Sequence, residues 1–343
     1  YEKEKVLEEE VYNKLEKDYF KSVELFKSEE VLDETDWWLE CRNEFKNIFF
    51  KEKKIDIDKL KNFRNDTETK AEILLDQNFI SRGNSNFKNK IRSLSLVNLY
   101  HKLSDHVDLD VLRKCSESTI GNNYSVIYRN QRIGYRILRY AYYTSQIRKY
   151  TKLNENDKNI FLDIGGGYGG LSRTLKHFYS KSTFVLVELP ELSFLANYFL
   201  AQCFPNAKIG TSSDFENKEV ITKNDLKQFD FVLINPAYLK YFEKDTVDLS
   251  INTTSLGEMT DKMQKFYVNE IERVTEKYFY SVNRAKKRVE KYNSKGFYDL
   301  KFNSTWHSLI YGYTHTYHVE FLGKKIKKIY DNRFNTSKIK FYK

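Results

Sequence analysis

Phe161–Gly170, with the sequence FLDIGGGYGG, is the stretch that decides the fold. The apolar run Ile160–Ile164 predicts a buried strand, and Leu171–Tyr179 after the glycines predicts a helix. Glycines at such a junction let the backbone turn sharply and approach a ligand closely. The start of the helix offers free N–H groups to polar ligand atoms. The setting therefore predicts a nucleotide-binding loop rather than an ordinary turn.

Outward from this loop, short apolar runs alternate with helix-length segments. The further predicted strands are Thr183–Val187, Ala207–Ile209, Phe231–Ile234, Val247–Ile251 and Lys277–Val282. The predicted helices between them are Leu192–Phe204 and Met263–Thr275. Such alternation is typical of a mostly parallel sheet with helices on both faces. Thr305–Leu322, rich in Tyr, Thr and His, predicts antiparallel strands added at the C-terminal edge.

The expected fold is α/β and Rossmann-like, preceded by a helical N-terminal region. Residues 1–150 carry helix-period patterns at Val6–Phe26, Ile91–Leu103 and Ile133–Ile147. We expect this region to supply part of a substrate pocket or a homodimer surface. Residues 151–343 form the predicted ligand-binding domain, which begins after the polar stretch Asn154–Asn159.

Composition limits the class of protein. The chain has 343 residues, and 58 Lys and Arg against 48 Asp and Glu give a formal charge of +10, which favours an anionic partner. The three cysteines lie far apart and in no metal-ligand spacing, so they suit a reducing cytosol; we predict a cytoplasmic protein without a metal site. No signal peptide is visible, and charged residues interrupt the longest apolar stretch, Phe184–Phe204, so we expect no membrane span.

Asp163 separates two interpretations of the glycine loop. Gly165, Gly167 and Gly170 satisfy the dinucleotide pattern G-x-G-x-x-G. Asp163, Gly165, Gly167 and Gly169 equally satisfy D-x-G-x-G-x-G, which resembles motif I of class I methyltransferases. A carboxylate there repels a pyrophosphate but attracts the ammonium group of S-adenosylmethionine. The loop therefore favours the methyl donor over a nicotinamide dinucleotide.

Four segments together resemble one family. LDIGGGYGG, VLVELPEL, DLSINTTSLGEM and YFYSVN, spread over about residues 160–285, are similar to the sugar O-methyltransferase family of class I methyltransferases. The resemblance extends less clearly to Glu117–Asn122, where Asn123 follows instead of the expected Pro. It implies transfer of a methyl group from S-adenosylmethionine to a sugar hydroxyl, with S-adenosylhomocysteine as the product. The implied acceptor is a sugar, nucleotide sugar or glycan in the biosynthesis of capsule or lipopolysaccharide.

The resemblance also implies roles for individual residues. The donor would contact the glycine loop through Asp163, Gly165, Gly166, Gly167 and Tyr168. Glu188 would hold the ribose, Leu189 would pack near the adenine, and Asn252 would face the sulfonium region. We also place Asn235 among the donor-binding residues. The acceptor is predicted to meet Glu117, Asn122 and Trp306. A sugar hydroxyl is a poor nucleophile, so a general base is expected. The candidates are Glu258, His307, His315 and His318, of which Glu258 and His307 are preferred.

An alternative comes from Asn235-Pro236-Ala237-Tyr238. This segment is similar to the N-P-P-Y tetrad of methyltransferases that act on amino groups of nucleobases or of glutamine, and the positive charge suits nucleic acid. However, Ala237 breaks the tetrad, and DLSINTTSLGEM would then lack a role. We therefore expect that nucleic acid is not the partner. An oxidoreductase and a degenerate fold kept as a binding module are further alternatives.

Overall fold

The computed structural model describes residues 9–28, 33–64, 86–286, 295–303, 306–315 and 318–326. Its helices are α1 (Glu9–Lys27), α2 (Asp36–Phe49), α3 (Ile57–Lys61), α4 (Asn86–Ser104), α5 (Leu109–Lys114), α6 (Tyr135–Tyr150), α7 (Gly170–Lys176), α8 (Pro190–Cys203), α9 (Lys223–Leu226) and α10 (Asp261–Val274). Its strands are β1 (Phe50–Lys51), β2 (Lys54–Ile55), β3 (Val126–Tyr128), β4 (Gln131–Ile133), β5 (Ile160–Ile164), β6 (Thr183–Val187), β7 (Ile209–Thr211), β8 (Phe231–Ile234), β9 (Val247–Thr253), β10 (Thr275–Arg284), β11 (Trp306–His315) and β12 (His318–Lys325).

Eight of these strands form one sheet in the order β11-β12-β10-β9-β5-β6-β8-β7. The six strands from β10 to β7 run parallel to their neighbours. Strand β12 is antiparallel to both β10 and β11. The expectation of a Rossmann-like, mostly parallel sheet with an antiparallel C-terminal edge is therefore confirmed.

Alternation along β5 decides which side chains meet which helices. Phe161 packs in a core with Tyr143 of α6 and Leu175 of α7, whereas Leu162 packs in the core that contains Ile271 of α10. Successive side chains of a strand point to opposite faces, so Asp163 shares the face of Phe161. The Asp163 side chain therefore points to the face of the sheet that α6 and α7 cover.

Helices α1 and α2 are held to the sheet domain by a buried ion cluster. The Arg42 guanidinium of α2 donates to Glu191 Oε2 of α8 at 2.8 Å and to both carboxylate oxygens of Glu34, at 2.9 and 2.8 Å. The Tyr19 hydroxyl of α1 donates to Glu191 Oε1 at 3.4 Å. Because Glu191 is 3% exposed, its charge depends on Arg42 for compensation.

Among the described helices, none has the length and apolar character that a membrane span requires.

We predict that Arg42→Ala lowers the free energy of unfolding by about 3 kcal/mol, because it leaves a carboxylate buried without its cation. Lys265→Ala is the matched control, since it removes an exposed i,i+4 pair with Asp261 and should cost less than about 1 kcal/mol. Urea unfolding at pH 7 measures both. Equal losses in the two variants would contradict the structural role of Arg42.

Candidate functional site

The glycine loop lies at the point where the chain changes direction across the sheet. From β5 the chain continues to β6 on one side, while β9 borders β5 on the other. In open α/β sheets, ligands bind in the crevice outside the carboxyl ends of strands at such a point. The loop that follows Ile164 opens directly onto this crevice.

Two glycines of the loop show why it needs these residues. Gly165 has φ +70°, and a Cβ there would collide with the Ser255 side chain. Gly167 has φ +60°, and no atom lies within 4 Å of the position that its Cβ would take. Gly165 therefore serves packing against the turn after β9, whereas Gly167 leaves an open cradle beside its backbone N–H.

Asp163 places a carboxylate beneath this loop. It is 1% exposed, and Oδ2 accepts a hydrogen bond from Ser172 Oγ at 2.9 Å. Among the described residues, Oδ1 has no hydrogen-bond partner. Burial raises the pKa of Asp163 to about 7, although the bond from Ser172 opposes the shift. A buried acceptor without a donor fits a cationic or hydrogen-bonding ligand group.

Glu188 follows β6 and lies on the opposite side of the loop. Its Oε1 accepts from the Gly167 N–H at 2.5 Å, and its Oε2 accepts from the Leu189 N–H at 3.2 Å. Burial raises the pKa of Glu188 to about 8, and the charges of Asp163 and Glu258 add to the shift. Burial therefore disfavours the charged form of both acidic residues at the cradle.

Asn252, near the end of β9, joins three strands through its side chain. Its Nδ2 donates to the Ile164 carbonyl at 2.7 Å and to Ser255 Oγ at 2.6 Å. Its Oδ1 accepts from Asn283 Nδ2 of β10 at 2.7 Å. The amide is fully buried and occupied, so direct contact with the donor stays a prediction, while its hydrogen bonds position the loop.

Glu258 ends a short turn, Leu256–Glu258, that follows β9. It does not open the next helix, because that helix begins at Asp261. Its carboxylate is half-buried and close enough to Glu188 to raise the pKa of that residue. Glu258 therefore lies at the crevice.

Tyr168 connects the loop to the N-terminal helices. The ring is 3% exposed, and the Arg64 guanidinium lies 4.8 Å from its centroid. Arg64 Nη2 in turn donates to Glu117 Oε1 at 3.1 Å, and both side chains are buried. Asn122 is exposed and donates to Asn62 Oδ1 at 2.7 Å. Acceptor binding by Glu117 and Asn122 stays a prediction.

Asn235 is engaged by helix α1. Its Oδ1 accepts from Ser22 Oγ at 2.8 Å, and its Nδ2 donates to the Ser22 carbonyl at 3.0 Å. The residue follows β8, which is separated from β5 by β6. We therefore interpret its amide as an anchor for α1, and its predicted contact with the donor has no direct support from this geometry.

Trp306 and His307 lie at the end of the sheet opposite to the glycine loop. Both begin β11, where His307 pairs with Lys324, and Lys324 pairs with Tyr278 near the start of β10. The glycine loop follows the carboxyl end of β5, four strands away. Strand β11 is antiparallel to β12 and therefore runs in the direction of β10, so both residues lie near the amino end of the parallel strands. The predicted roles of His307 as the base and of Trp306 in acceptor binding have no direct support from this register. His315 and His318 lie at the opposite, carboxyl end.

Sequence reasoning missed three residues that build the site, namely Ser172, Ser255 and Asn283. Ser172 lies nine positions after Asp163, on helix α7, which follows the glycine loop. The strand–turn–helix pattern therefore brings it back to that carboxylate. Asn283 meets Asn252 across two neighbouring strands. The paired asparagines at the ends of two predicted strands were the available signal for this contact.

Within the described residues, no group of three or more His, Cys, Asp and Glu side chains is arranged to hold a metal ion.

No protein-family model matches the chain, and no curated protein matches its sequence. Solved structures do show partial likeness. The PH0226 protein from Pyrococcus horikoshii is 15% identical, with a TM-score of 0.36 over 54% of this chain and 92% of that protein. PigF, solved with S-adenosylhomocysteine, is 14% identical, with a TM-score of 0.34 over 54% of this chain and 61% of PigF.

A methyltransferase from Aquifex aeolicus that depends on S-adenosylmethionine is 11% identical, with a TM-score of 0.31 over 53% of this chain and 89% of that protein. With scores below 0.5, these likenesses do not identify a function for this chain.

We predict that Asp163→Asn stabilises the ligand-free protein in alkaline solution. The pKa of Asp163 is about 7 in the folded protein and about 3.9 in an unfolded chain, so folding favours the protonated form. Its contribution to stability is therefore present at low pH and is lost as the pH rises toward 7. Relative to wild type, the variant should gain about 2 to 3 kcal/mol between pH 5 and pH 8.

Denaturant unfolding at the two pH values measures this difference. Ser172→Ala is the control, because it keeps the titrating carboxylate. A gap between Asp163→Asn and wild type that does not change with pH would contradict the buried, titrating carboxylate.

Proposed function

We propose that this chain is an S-adenosylmethionine-dependent methyltransferase of class I. The observation that carries the proposal is the unpartnered Asp163 Oδ1, buried next to the open cradle at Gly167. A dinucleotide pyrophosphate would meet a carboxylate there, and like charges repel. The ammonium of an amino-acid moiety offers both the positive charge and the donors that Oδ1 lacks.

The residues around the cradle fit this donor. Asp163 would hold its ammonium. Glu188 accepts hydrogen bonds from the N–H groups of Gly167 and Leu189, and it would exchange these bonds for bonds from the ribose hydroxyls. Leu189 is half-buried beside Glu188 and is available to an adenine face. When bound, the donor supplies a methyl group on a positively charged sulfur. The chain's own task is to hold the acceptor in line with that methyl group and to keep water away.

For the acceptor we propose a sugar hydroxyl, free as a nucleotide sugar or within a glycan of capsule or lipopolysaccharide. The support is the sequence resemblance of DLSINTTSLGEM, which lies on β9 and the turn after it, directly beside β5. Glu258, from the same segment, is the residue that would accept the proton of the hydroxyl. Glu258 is half-buried and lies close enough to Glu188 for its charge to raise the pKa of that residue, which places its carboxylate at the crevice.

The alternative, an N-methyltransferase that uses Asn235-Pro236-Ala237-Tyr238, has weaker support. That segment follows β8, beyond β6, and the side chain of Asn235 is bonded to Ser22 of α1. A target amino group would have to displace these bonds.

We predict that the protein binds S-adenosylhomocysteine and that Asp163→Asn and Glu188→Gln each weaken binding about 10- to 100-fold, because each removes a charged acceptor. Both carboxyls must be ionised to bind, and the pKa values of about 7 and 8 mean that they release protons on binding near pH 7. Affinity for the wild type should therefore fall as the pH falls from 8 to 6.

Calorimetry in buffers of different ionisation enthalpy measures affinity and proton release together. NAD serves as the competing ligand. Binding of NAD in place of S-adenosylhomocysteine, or unchanged affinity in both variants, would rule out the methyl donor.

We predict that Glu258→Gln lowers kcat at least about 100-fold and leaves KM for the acceptor nearly unchanged, since general-base catalysis contributes that much. The assay uses methyl-labelled donor with capsular or lipopolysaccharide precursors, RNA and DNA offered separately. Lys265→Ala should behave as wild type. Label that enters only nucleic acid would refute the sugar acceptor, and full activity of Glu258→Gln would refute the base.

A further inference from the structure

Helix α6 packs on the face of the sheet and contacts both α7, which follows the glycine loop, and the C-terminal strands β10 and β12. Just past its last residue, the Lys152 N–H donates to the Tyr278 hydroxyl near the start of β10 at 3.1 Å. Two turns earlier, the Tyr143 ring lies 5.9 Å from that of Tyr280, further along β10. The helix thus runs toward the amino end of the strands, so its first turns extend to their carboxyl ends.

Both flanks of these first turns are fixed by contacts. On one flank, a Cβ at Gly170 would lie 2.5 Å from the Tyr140 ring, which is therefore packed against the end of the glycine loop. On the other flank, the Tyr142 hydroxyl donates to Glu320 Oε2 of β12 at 2.7 Å. Arg139 lies on α6 one turn before Tyr143, and is therefore nearer than Tyr143 to the carboxyl ends of the strands.

Arg139 has an unusual set of neighbours for a half-buried cation. Its Nη2 donates to the Tyr143 hydroxyl at 3.0 Å, and its guanidinium lies 5.8 and 5.9 Å from the ring centroids of Tyr135 and Tyr143. In the part of the chain that the structure describes, no carboxylate forms an ion pair with it. Arg42, Arg64 and Arg148, by contrast, each have a carboxylate partner.

Glu320 of β12 is a buried carboxylate on this side, and tyrosine hydroxyls rather than Arg139 are bonded to both of its oxygens. Glu320 accepts from the Tyr280 hydroxyl at 2.6 Å as well as from Tyr142. Burial raises the pKa of Glu320 despite these two bonds. A guanidinium has five N–H donors in a planar fork, and four of those of Arg139 have no bond to a described residue.

Resting on the proposed methyl transfer, we infer that Arg139 binds an anionic group of the methyl acceptor. The fork of a guanidinium matches two oxygens of a phosphate or a carboxylate. The group is thus the phosphate of a nucleotide sugar or the carboxylate of an acidic sugar. The half-buried Tyr135 offers an aromatic face beside the same guanidinium, which suits the rest of such an acceptor.

The test uses the full chain saturated with S-adenosylhomocysteine and titrated separately with UDP, inorganic pyrophosphate and glucuronate. We expect wild type to bind at least one probe, and Arg139→Gln to bind it about 10- to 100-fold more weakly, as expected for loss of a charged bidentate pair. Arg139→Lys should retain part of the affinity, because it keeps the charge but not the fork. UDP and pyrophosphate report a phosphate acceptor, and glucuronate reports an acidic sugar.

Arg148→Gln is the matched control, since it removes an arginine of the same helix that already has carboxylate partners. It should not change probe binding. Thermal melting shows whether each variant folds, and Arg139→Lys carries the test if Arg139→Gln does not fold.

Three results would overturn the inference. The first is that the wild-type complex binds none of the probes. The second is that probe binding is unchanged in both Arg139 variants. The third is that the Arg139 variants lose affinity for S-adenosylhomocysteine itself. The last result would assign the guanidinium to the carboxylate of the donor. A wild type that binds no S-adenosylhomocysteine contradicts the proposed function instead, and the probes can then be titrated into the ligand-free protein to test Arg139 alone.

Discussion

The carboxyl end of the sheet is organised by the side-chain amide of Asn252. It donates to the carbonyl of Ile164, the last residue of β5, and accepts from Asn283 of β10. Ser255 donates to the same Ile164 carbonyl at 3.2 Å. These bonds give the carbonyl at the end of β5 two side-chain donors, and buried backbone acceptors need such partners. The glycine loop can therefore leave β5 abruptly, with Gly165 against Ser255, because the strand end beneath it is held from β9.

The buried carboxylates at the ends of β5 and β6 carry an energetic cost. Asp163 and Glu188 are both buried, and burial raises the pKa of each by several units above that of a free carboxylic acid. Neither has a basic side chain bonded to it among the described residues, and only Ser172 and two backbone N–H groups compensate them. Sites that are poorly satisfied in the free protein commonly gain from a ligand what they lack in protein partners. This imbalance is the physical basis for assigning a ligand to the cradle.

Local patterns in the sequence predicted the central strands of the sheet. Ile160–Ile164, Thr183–Val187 and Phe231–Ile234 match the strands to the residue, because each is a continuous apolar run buried on both faces. Asp163, Glu188 and the glycines could be found because they follow such runs directly. His307 could not be placed, since its distance from the loop depends on the register of an antiparallel edge that no short pattern encodes. Arg139 was missed for a related reason: within a helical pattern with several basic residues, nothing in the sequence marks a guanidinium that lacks a carboxylate partner.

The glycine loop is packed tightly against the helices that precede the sheet, through contacts at Gly170 and Tyr168. Gly170 has no side chain, and that absence allows the Tyr140 ring of α6 to pack against the start of α7. Tyr168 lies against Phe63 and beneath the guanidinium of Arg64, whose buried bond to Glu117 fixes a further part of the N-terminal region. Tightly packed contacts of this kind transmit displacement instead of absorbing it. A ligand that moves the glycine loop would therefore also move α6, and with it Arg139 and the tyrosines around it. If Arg139 binds the acceptor as inferred, the helices that precede the sheet would form part of the binding site, and the order in which donor and acceptor bind would depend on these contacts.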